Sequence, residues 1–201
     1  MKRIGVLGGS FDPVHLAHLA VATAAQEQLS LDQVLFVPAG LAWQKQRPLS
    51  SALHRVAMLQ AALQDMPMWA AIDACELQRP GPSYMIDTLH DLRHRHPHCH
   101  FYLILGQDQL LNFPTWARWD EIIALTDLAV AQRPEQTTDT PLDVRAALLA
   151  NERSMHHINL PLSAISSTAI RVAAASGSDL TGLVPSAVAE YIARFNLYKE
   201  A

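Results

Sequence analysis

Two histidines, His15 and His18, close the run Gly8-Gly9-Ser10-Phe11-Asp12-Pro13-Val14-His15-Leu16-Ala17-His18. Residues three apart share one face of a helix, so two imidazoles there can donate hydrogen bonds to one anion. The glycines ahead of them let backbone approach a ligand closely. A helix opening at this point adds free N–H groups and partial positive charge. Glycine turn, helix start and paired imidazoles together describe a nucleotide phosphate site, with Gly8, Gly9, Ser10, Phe11, His15 and His18 as its candidate contacts. The Lys-Ser/Thr ending of a P-loop is absent, and so is the G-x-G-x-x-G spacing of a dinucleotide-binding turn.

A second constellation lies near the other end of the chain, at Ile165-Ser166-Ser167-Thr168-Ala169-Ile170-Arg171. Serine is a favoured helix N-cap, and Ser167 and Arg171, four apart, face the same way on a helix. The hydroxyls of Ser166, Ser167 and Thr168 and the Arg171 guanidinium can then converge on one anion. Taken alone, the same residues also suit a well-capped surface helix. Gly106-Gln107-Asp108 follows an apolar run, where glycine permits close approach and the Asp108 carboxylate can accept ribose hydroxyls. Trp116 offers a stacking plate for an aromatic base, or core filling. Asp12 reads equally as a turn residue and as a group that orients a histidine or water. Arg55 reads as solvated rather than as a phosphate contact. His94, His96, His98 and His100 span a helix end and Pro97, so their rings point apart and no metal site is expected.

The elements that position these residues alternate. Apolar runs predict strands at 4–7, 34–37, 69–72, 101–105, 128–131 and 156–160. Helical spacing predicts helices at 19–29, 51–64, 84–95, 117–125, 142–150, 167–175 and 186–195, with a polar, mobile loop at 134–141. Alternating βα units imply an α/β, Rossmann-like, doubly wound and mostly parallel sheet with helices on both faces. Ligands of such sheets bind beyond the carboxyl ends of the strands.

Composition sets limits. A chain of 201 residues, 50% hydrophobic, suits one domain with a substantial core. The net charge of −4 argues against a nucleic-acid partner. No apolar run is long enough to span a bilayer. The first strand leaves no room for a signal peptide, and the two cysteines, Cys75 and Cys99, have no metal-ligand spacing. A cytoplasmic protein with reduced thiols is the expectation. The sequence leaves open whether it forms a homo-oligomer.

The run from Gly8 to His18 resembles the G-x-F-D-P-x-H-x-G-H signature of the nucleotidyltransferase superfamily, with Ala17 where glycine is usual. Ile165 to Arg171 resembles its I-S-S-T-x-x-R signature. Pro82-Ser83-Tyr84, Gly106 to Leu110, Trp116, Arg133-Pro134 and the stretch from Leu183 to Tyr198 are similar to the nicotinate mononucleotide adenylyltransferase family, so the resemblance covers nearly the whole chain. It implies one nucleotidyltransferase domain over 1–201, with a helical C-terminal part from about 163 to 201. It also implies transfer of the adenylyl group of ATP to nicotinate mononucleotide, giving deamido-NAD and pyrophosphate. His15, His18, Lys45 and Arg171 would be catalytic. Gly8, Gly9, Ser10, Phe11, Gly106, Asp108, Ser166, Ser167 and Thr168 would join His15, His18 and Arg171 in binding ATP. Ser83, Tyr84, Met85, Trp116, Ala117 and Arg133 would bind the acceptor. In that family the pyridine ring stacks on the tryptophan and its carboxylate meets backbone amides, which fall by position at Met85 and Ala117. A hydroxyl residue is often found where Met85 stands. Mg²⁺ would ride mainly on the ATP phosphates. Lys45 is the basic residue kept from a P-P-H-K or P-P-H-R element. Phosphopantetheine adenylyltransferase and a non-catalytic nucleotide sensor of the same fold are the alternatives. A fragment of a class I aminoacyl-tRNA synthetase fits poorly, because no K-M-S-K-S-like loop follows.

Overall fold

A computed structural model describes residues 1–41, 48–132, 140–161 and 163–199. Six strands, β1 (Lys2–Gly9), β2 (Gln33–Pro38), β3 (Ala70–Ile72), β4 (Cys99–Gly106), β5 (Asp127–Gln132) and β6 (Met155–Asn159), form one sheet in the order β3-β2-β1-β4-β5-β6. Every described pair is parallel. Parallel strands need covered faces, which is why β1, β2 and β4 read as near-continuous apolar runs rather than alternating ones.

The helices are α1 (Leu16–Leu29), α2 (Ala52–Leu63), α3 (Cys75–Gln78), α4 (Met85–Arg95), α5 (Gln107–Asn112), α6 (Trp119–Leu125), α7 (Leu142–Ala150), α8 (Ser167–Ala175) and α9 (Ser186–Arg194). One face of the sheet buries Ala22 and Ala25 of α1, Met58 and Leu59 of α2, Ile170 of α8 and Val188 of α9. The other buries Ile86 and Leu89 of α4, Ile122 and Ile123 of α6 and Val144 of α7. The sheet is therefore doubly wound, as the alternation predicts. Its switch point lies between β1 and β4, where successive crossovers run in opposite directions. Among the described residues no helix is long and apolar enough to cross a membrane.

Two predicted boundaries shift and two short helices are new. α1 begins one turn earlier than the sequence suggests, because the two histidines supply its cap. α6 starts at Trp119 rather than Ala117, because Arg118 adopts a left-handed φ of 54°. The short α3 and α5 carry too few residues to show a 3.6 period. The predicted loop at 134–141 falls largely outside the described residues, as do Lys45 and Arg133.

Candidate functional site

A cavity of about 650 Å³ opens at the carboxyl ends of β1 and β4. Its walls bring together the start of α1, the start of α8, the start of α4 and the segment after β4. Gly8, Gly9, Ser10, His15, His18, Ser83, Tyr84, Met85, Gly106, Trp116, Ala117, Ser166, Ser167, Thr168 and Arg171 all line it. The two sequence constellations, about 150 residues apart, thus face one space.

His15 is the N-cap of α1, with extended backbone at φ −147°. Its N–H donates to His18 Nδ1 at 3.2 Å, so the side chain three residues on satisfies one orphan donor of the helix start. The rings stack with centroids 3.7 Å apart. An acceptor Nδ1 leaves the neutral His18 ring its proton on Nε2. Burial lowers the His15 pKa to about 4. Burial, and then repulsion from His15, lowers His18 to about 3. Both rings are therefore neutral N–H donors at physiological pH. His15 Nδ1 is buried and makes no hydrogen bond within the described structure.

Three expectations are revised. Phe11 is only 1% exposed and lies outside the lining. Its ring packs edge-on under His18 at 5.1 Å and beside Phe36 at 5.9 Å. It supports the imidazole, a job an apolar ring does better than ligand contact. Asp108 is exposed on α5 and outside the lining. The helix starts immediately at Gln107, and a role for Asp108 at the ribose rests on the resemblance alone. Gln109 lines it instead, with its Oε1 accepting the Gly106 N–H at 2.9 Å. Arg55 is not solvated but 2% exposed. Its Nη1 donates to the Ser10 carbonyl at 3.0 Å and its Nε to the Ser50 carbonyl at 3.1 Å.

Arg55 belongs to a frame beneath the phosphate turn. Asp12 is fully buried and accepts from Tyr198 Oη at 2.8 Å and from the Ser50 N–H at 3.2 Å. Arg171 Nη1 donates to the Asp12 carbonyl at 2.9 Å, and its Nη2 to Thr168 Oγ1 at 3.0 Å. Ser167 Oγ donates to the Pro13 carbonyl at 3.0 Å, while Ser166 Oγ caps α8 by accepting the Ala169 N–H at 3.2 Å. The C-terminal constellation thus grips the N-terminal turn as well as lining the cavity. Asp12 stands in the structural half of its two readings: both carboxylate oxygens hold protein groups.

Met85, Trp116, Ala117 and Ile122 form an apolar part of the wall. Trp116 is half-buried, with its ring 5.3 Å from Phe113. A Cβ on Gly8 would come within 2.7 Å of Met85 Cε. Met85 therefore reaches across to the strand end. Glu76, Ala39, Gln109 and Ile165 also line the cavity. Gln109 and Ile165 lie within the two motifs already named, whereas no spacing in the sequence singles out Ala39 or Glu76. The histidine tract divides as its spacing suggests. His94 and His98 are exposed, while His100 Nε2 meets Asp127 Oδ2 at 3.0 Å at the amino ends of β4 and β5, away from the cavity.

A cytidylyltransferase-like family model matches residues 6–173. A relative from Bordetella petrii described as a probable nicotinate-nucleotide adenylyltransferase is 46% identical over 201 residues, covering 99% of this chain and 100% of its own length. One from Methylibium petroleiphilum, described the same way, is 41% identical, covering 98% and 92%. Among solved structures, Plasmodium falciparum nicotinic acid mononucleotide adenylyltransferase complexed with NaAD superposes with a TM-score of 0.79 at 20% identity, covering 98% of each chain. The same enzyme complexed with APC gives 0.78, also at 20% identity and with the same coverage. At that identity the likeness is one of fold.

Proposed function

The chain belongs to the cytidylyltransferase-like nucleotidyltransferases and, within them, to the nicotinate-nucleotide adenylyltransferase family, and from that premise we propose that it transfers the adenylyl group of ATP to nicotinate mononucleotide, giving deamido-NAD and pyrophosphate in NAD biosynthesis. The observation that carries the mechanism is the meeting of His15, His18 and the Ser166–Arg171 segment around one cavity at the switch point of the sheet.

An oxygen of the acceptor's phosphate attacks the α-phosphorus. A new P–O bond forms, the α–β bridging bond breaks, and pyrophosphate leaves. The attacking oxygen is already ionised at neutral pH, so the protein need not supply a base. Its work is positioning and charge stabilisation. The N–H groups of His15 and His18 donate to the phosphates as negative charge gathers on the leaving group. Arg171 adds positive charge from α8. Neutral imidazoles suit this task, because they donate without first being desolvated as ions. Trp116 offers its face to the pyridine ring, and the first turn of α4 together with Ala117 closes the acceptor end.

Mg²⁺ would arrive with ATP, on its phosphates. Among the described residues no group of three or more His, Cys, Asp or Glu is placed to hold a metal. An ion carried on the triphosphate would neutralise charge there while taking few protein ligands. Lys45 and Arg133 remain assigned to the phosphates and the acceptor on the resemblance alone. The thiols Cys75 and Cys99 are both free; the cytoplasmic setting stays part of this proposal as expected from the sequence.

The test is pyrophosphate release with ATP and Mg²⁺ and three acceptors in parallel: nicotinate mononucleotide, nicotinamide mononucleotide and phosphopantetheine. Turnover with the first well above the others is expected. Release with phosphopantetheine alone would overturn the assignment of Trp116 and its wall. No release, with ATP still bound, would make the protein a sensor.

A further inference from the structure

Glu76 is the one carboxylate-bearing residue among the described lining of the cavity, and the sequence gives no hint of it. It sits on α3, 4% exposed. Thr88 Oγ1 donates to its Oε1 at 2.7 Å. The Ser83 hydroxyl and the Gly40 N–H help to hold its charge, and Arg79 adds a positive field. These donors come from separate segments. Gly40 follows β2, while Ser83 and Thr88 flank and begin α4.

The same segments are stitched around Glu76. The Gly40 N–H donates to Ser83 Oγ at 3.1 Å. The Ser83 N–H donates to the Leu41 carbonyl at 3.1 Å. Leu41 and Pro82 form an isolated parallel bridge. A Cβ on Gly40 would run into the Glu76 carbonyl oxygen and come within 2.7 Å of Ser83 Oγ. The end of β2 therefore lies directly against α3. The first turn of α4, which presents Tyr84 and Met85 to the cavity, hangs from this knot.

We propose that Glu76 is the positioning residue of the acceptor wall, its buried carboxylate tying the end of β2 to the first turn of α4 so that Ser83, Tyr84 and Met85 are held at the width the acceptor nucleotide requires. This rests on the reading of the cavity as an adenylyltransferase site. Glu76 acts through these neighbours and not on the reacting atoms. The knot needs a group that only accepts. A carboxylate offers about four lone-pair sites and no donor, whereas an amide brings two N–H groups that would face Gly40 N–H and the hydroxyls. Bonds to an ionised acceptor are also about twice as strong as neutral ones. Burial pushes the Glu76 pKa up, and the Thr88, Gly40 and Ser83 donors with Arg79 pull against that shift. The phosphate end has its own frame on Asp12 and Arg55, so loosening α4 should leave it intact.

The experiment is steady-state pyrophosphate release by Glu76→Gln, Glu76→Ala and Thr88→Val, varying nicotinate mononucleotide and ATP separately, with calorimetric binding of each nucleotide. Glu76→Gln is expected to raise KM for the acceptor roughly tenfold, the size of one lost charge-assisted hydrogen bond. KM for ATP should stay within about twofold. Thr88→Val, which removes the shortest donor without opening a cavity, should move the acceptor KM in the same direction by about threefold to fivefold. If Glu76→Ala fails to fold, the other two variants carry the comparison. An unchanged acceptor KM in Glu76→Gln, or equal losses for acceptor and ATP in an active background, overturns the inference alone. A wild-type protein that releases no pyrophosphate with any acceptor overturns the adenylyltransferase reading and this inference with it.

Discussion

At the phosphate end of the cavity, residues 10–18 are fastened by partners 38 to 186 residues away: Ser50, Arg55, Ser167, Arg171 and Tyr198. At the other end, long ties such as Gly40 N–H to Ser83 Oγ, 43 residues apart, are joined by short ones. Gly106 meets Gln109, Trp116 packs on Phe113, and Glu76 takes the Thr88 hydroxyl 12 residues on. The phosphate end must hold charge-stabilising groups rigid while negative charge moves, and long-range contacts through buried polar groups enforce one geometry. The acceptor end must discriminate a ring, which local apolar walls can do and can be retuned to do. Met85 is such a local variable: its side chain meets the strand end at Gly8, and its backbone belongs to the helix start.

The largest expected effect is on the frame. Arg55→Ala removes the charged donors to the Ser10 and Ser50 carbonyls, and should cost about 3–5 kcal/mol of folding stability, two hydrogen bonds from a charged group at about 1.5–3 kcal/mol each. Urea denaturation checks this; a loss below about 1 kcal/mol, the range of exposed pairs, would mean that the frame is dispensable.

His18→Ala comes next. Removing one preorganised donor should lower kcat about 10²–10³-fold. The fold should survive, since the ring caps α1 rather than filling the core. Unchanged turnover would remove His18 from the mechanism.

Trp116→Ala sharpens the contrast between the ends. It should weaken the acceptor by about 1–3 kcal/mol, the worth of one stacked ring, and leave ATP nearly untouched. Titration calorimetry with each nucleotide reads both. Equal weakening would make the tryptophan a structural residue of both ends.

The smallest effect is a pH signature, and it has opposite signs at the two ends. The folded pKa values of His15 and His18 lie near 4 and 3, below the unfolded value of about 6.5. Their contribution to stability is thus present above pH 6.5 and is lost as pH falls toward 3, where the unfolded chain binds more protons. Glu76 has a raised pKa. Its contribution is largest below the unfolded carboxylate range and is lost as pH rises through the folded value. Thermal melts across pH 4–7 for wild type and a His15→Ala, His18→Ala double variant test the histidine part. The double variant should show a flatter profile on the acid side; identical slopes would mean that the histidines titrate normally.

Much of the architecture was legible because it follows from period and punctuation. Long apolar runs such as Phe101 to Leu105 can only be buried strands when helices alternate with them. The helix at Ser167 announces itself through its serine cap. The short α3 and α5 were not legible, because four to six residues carry no measurable period. With α5 opening directly after β4, the third residue after the strand, Gln109, lines the cavity, and the second, Asp108, is outside the lining.

The sequence by itself determined the fold class and the family: the glycine turn, the paired imidazoles, the hydroxyl-capped arginine helix and their order are the signatures it carries. Local spacing suffices there, because those groups act within one turn of their own helix. Only the tertiary structure decided what holds them. Whether Arg55 is solvent-facing or a buried strut, whether Asp12 does chemistry or anchors Tyr198, and whether Glu76 has any role depend on which distant segments cross at the sheet's switch point. A charged side chain carries no mark of its partner until burial removes water and forces it to find one.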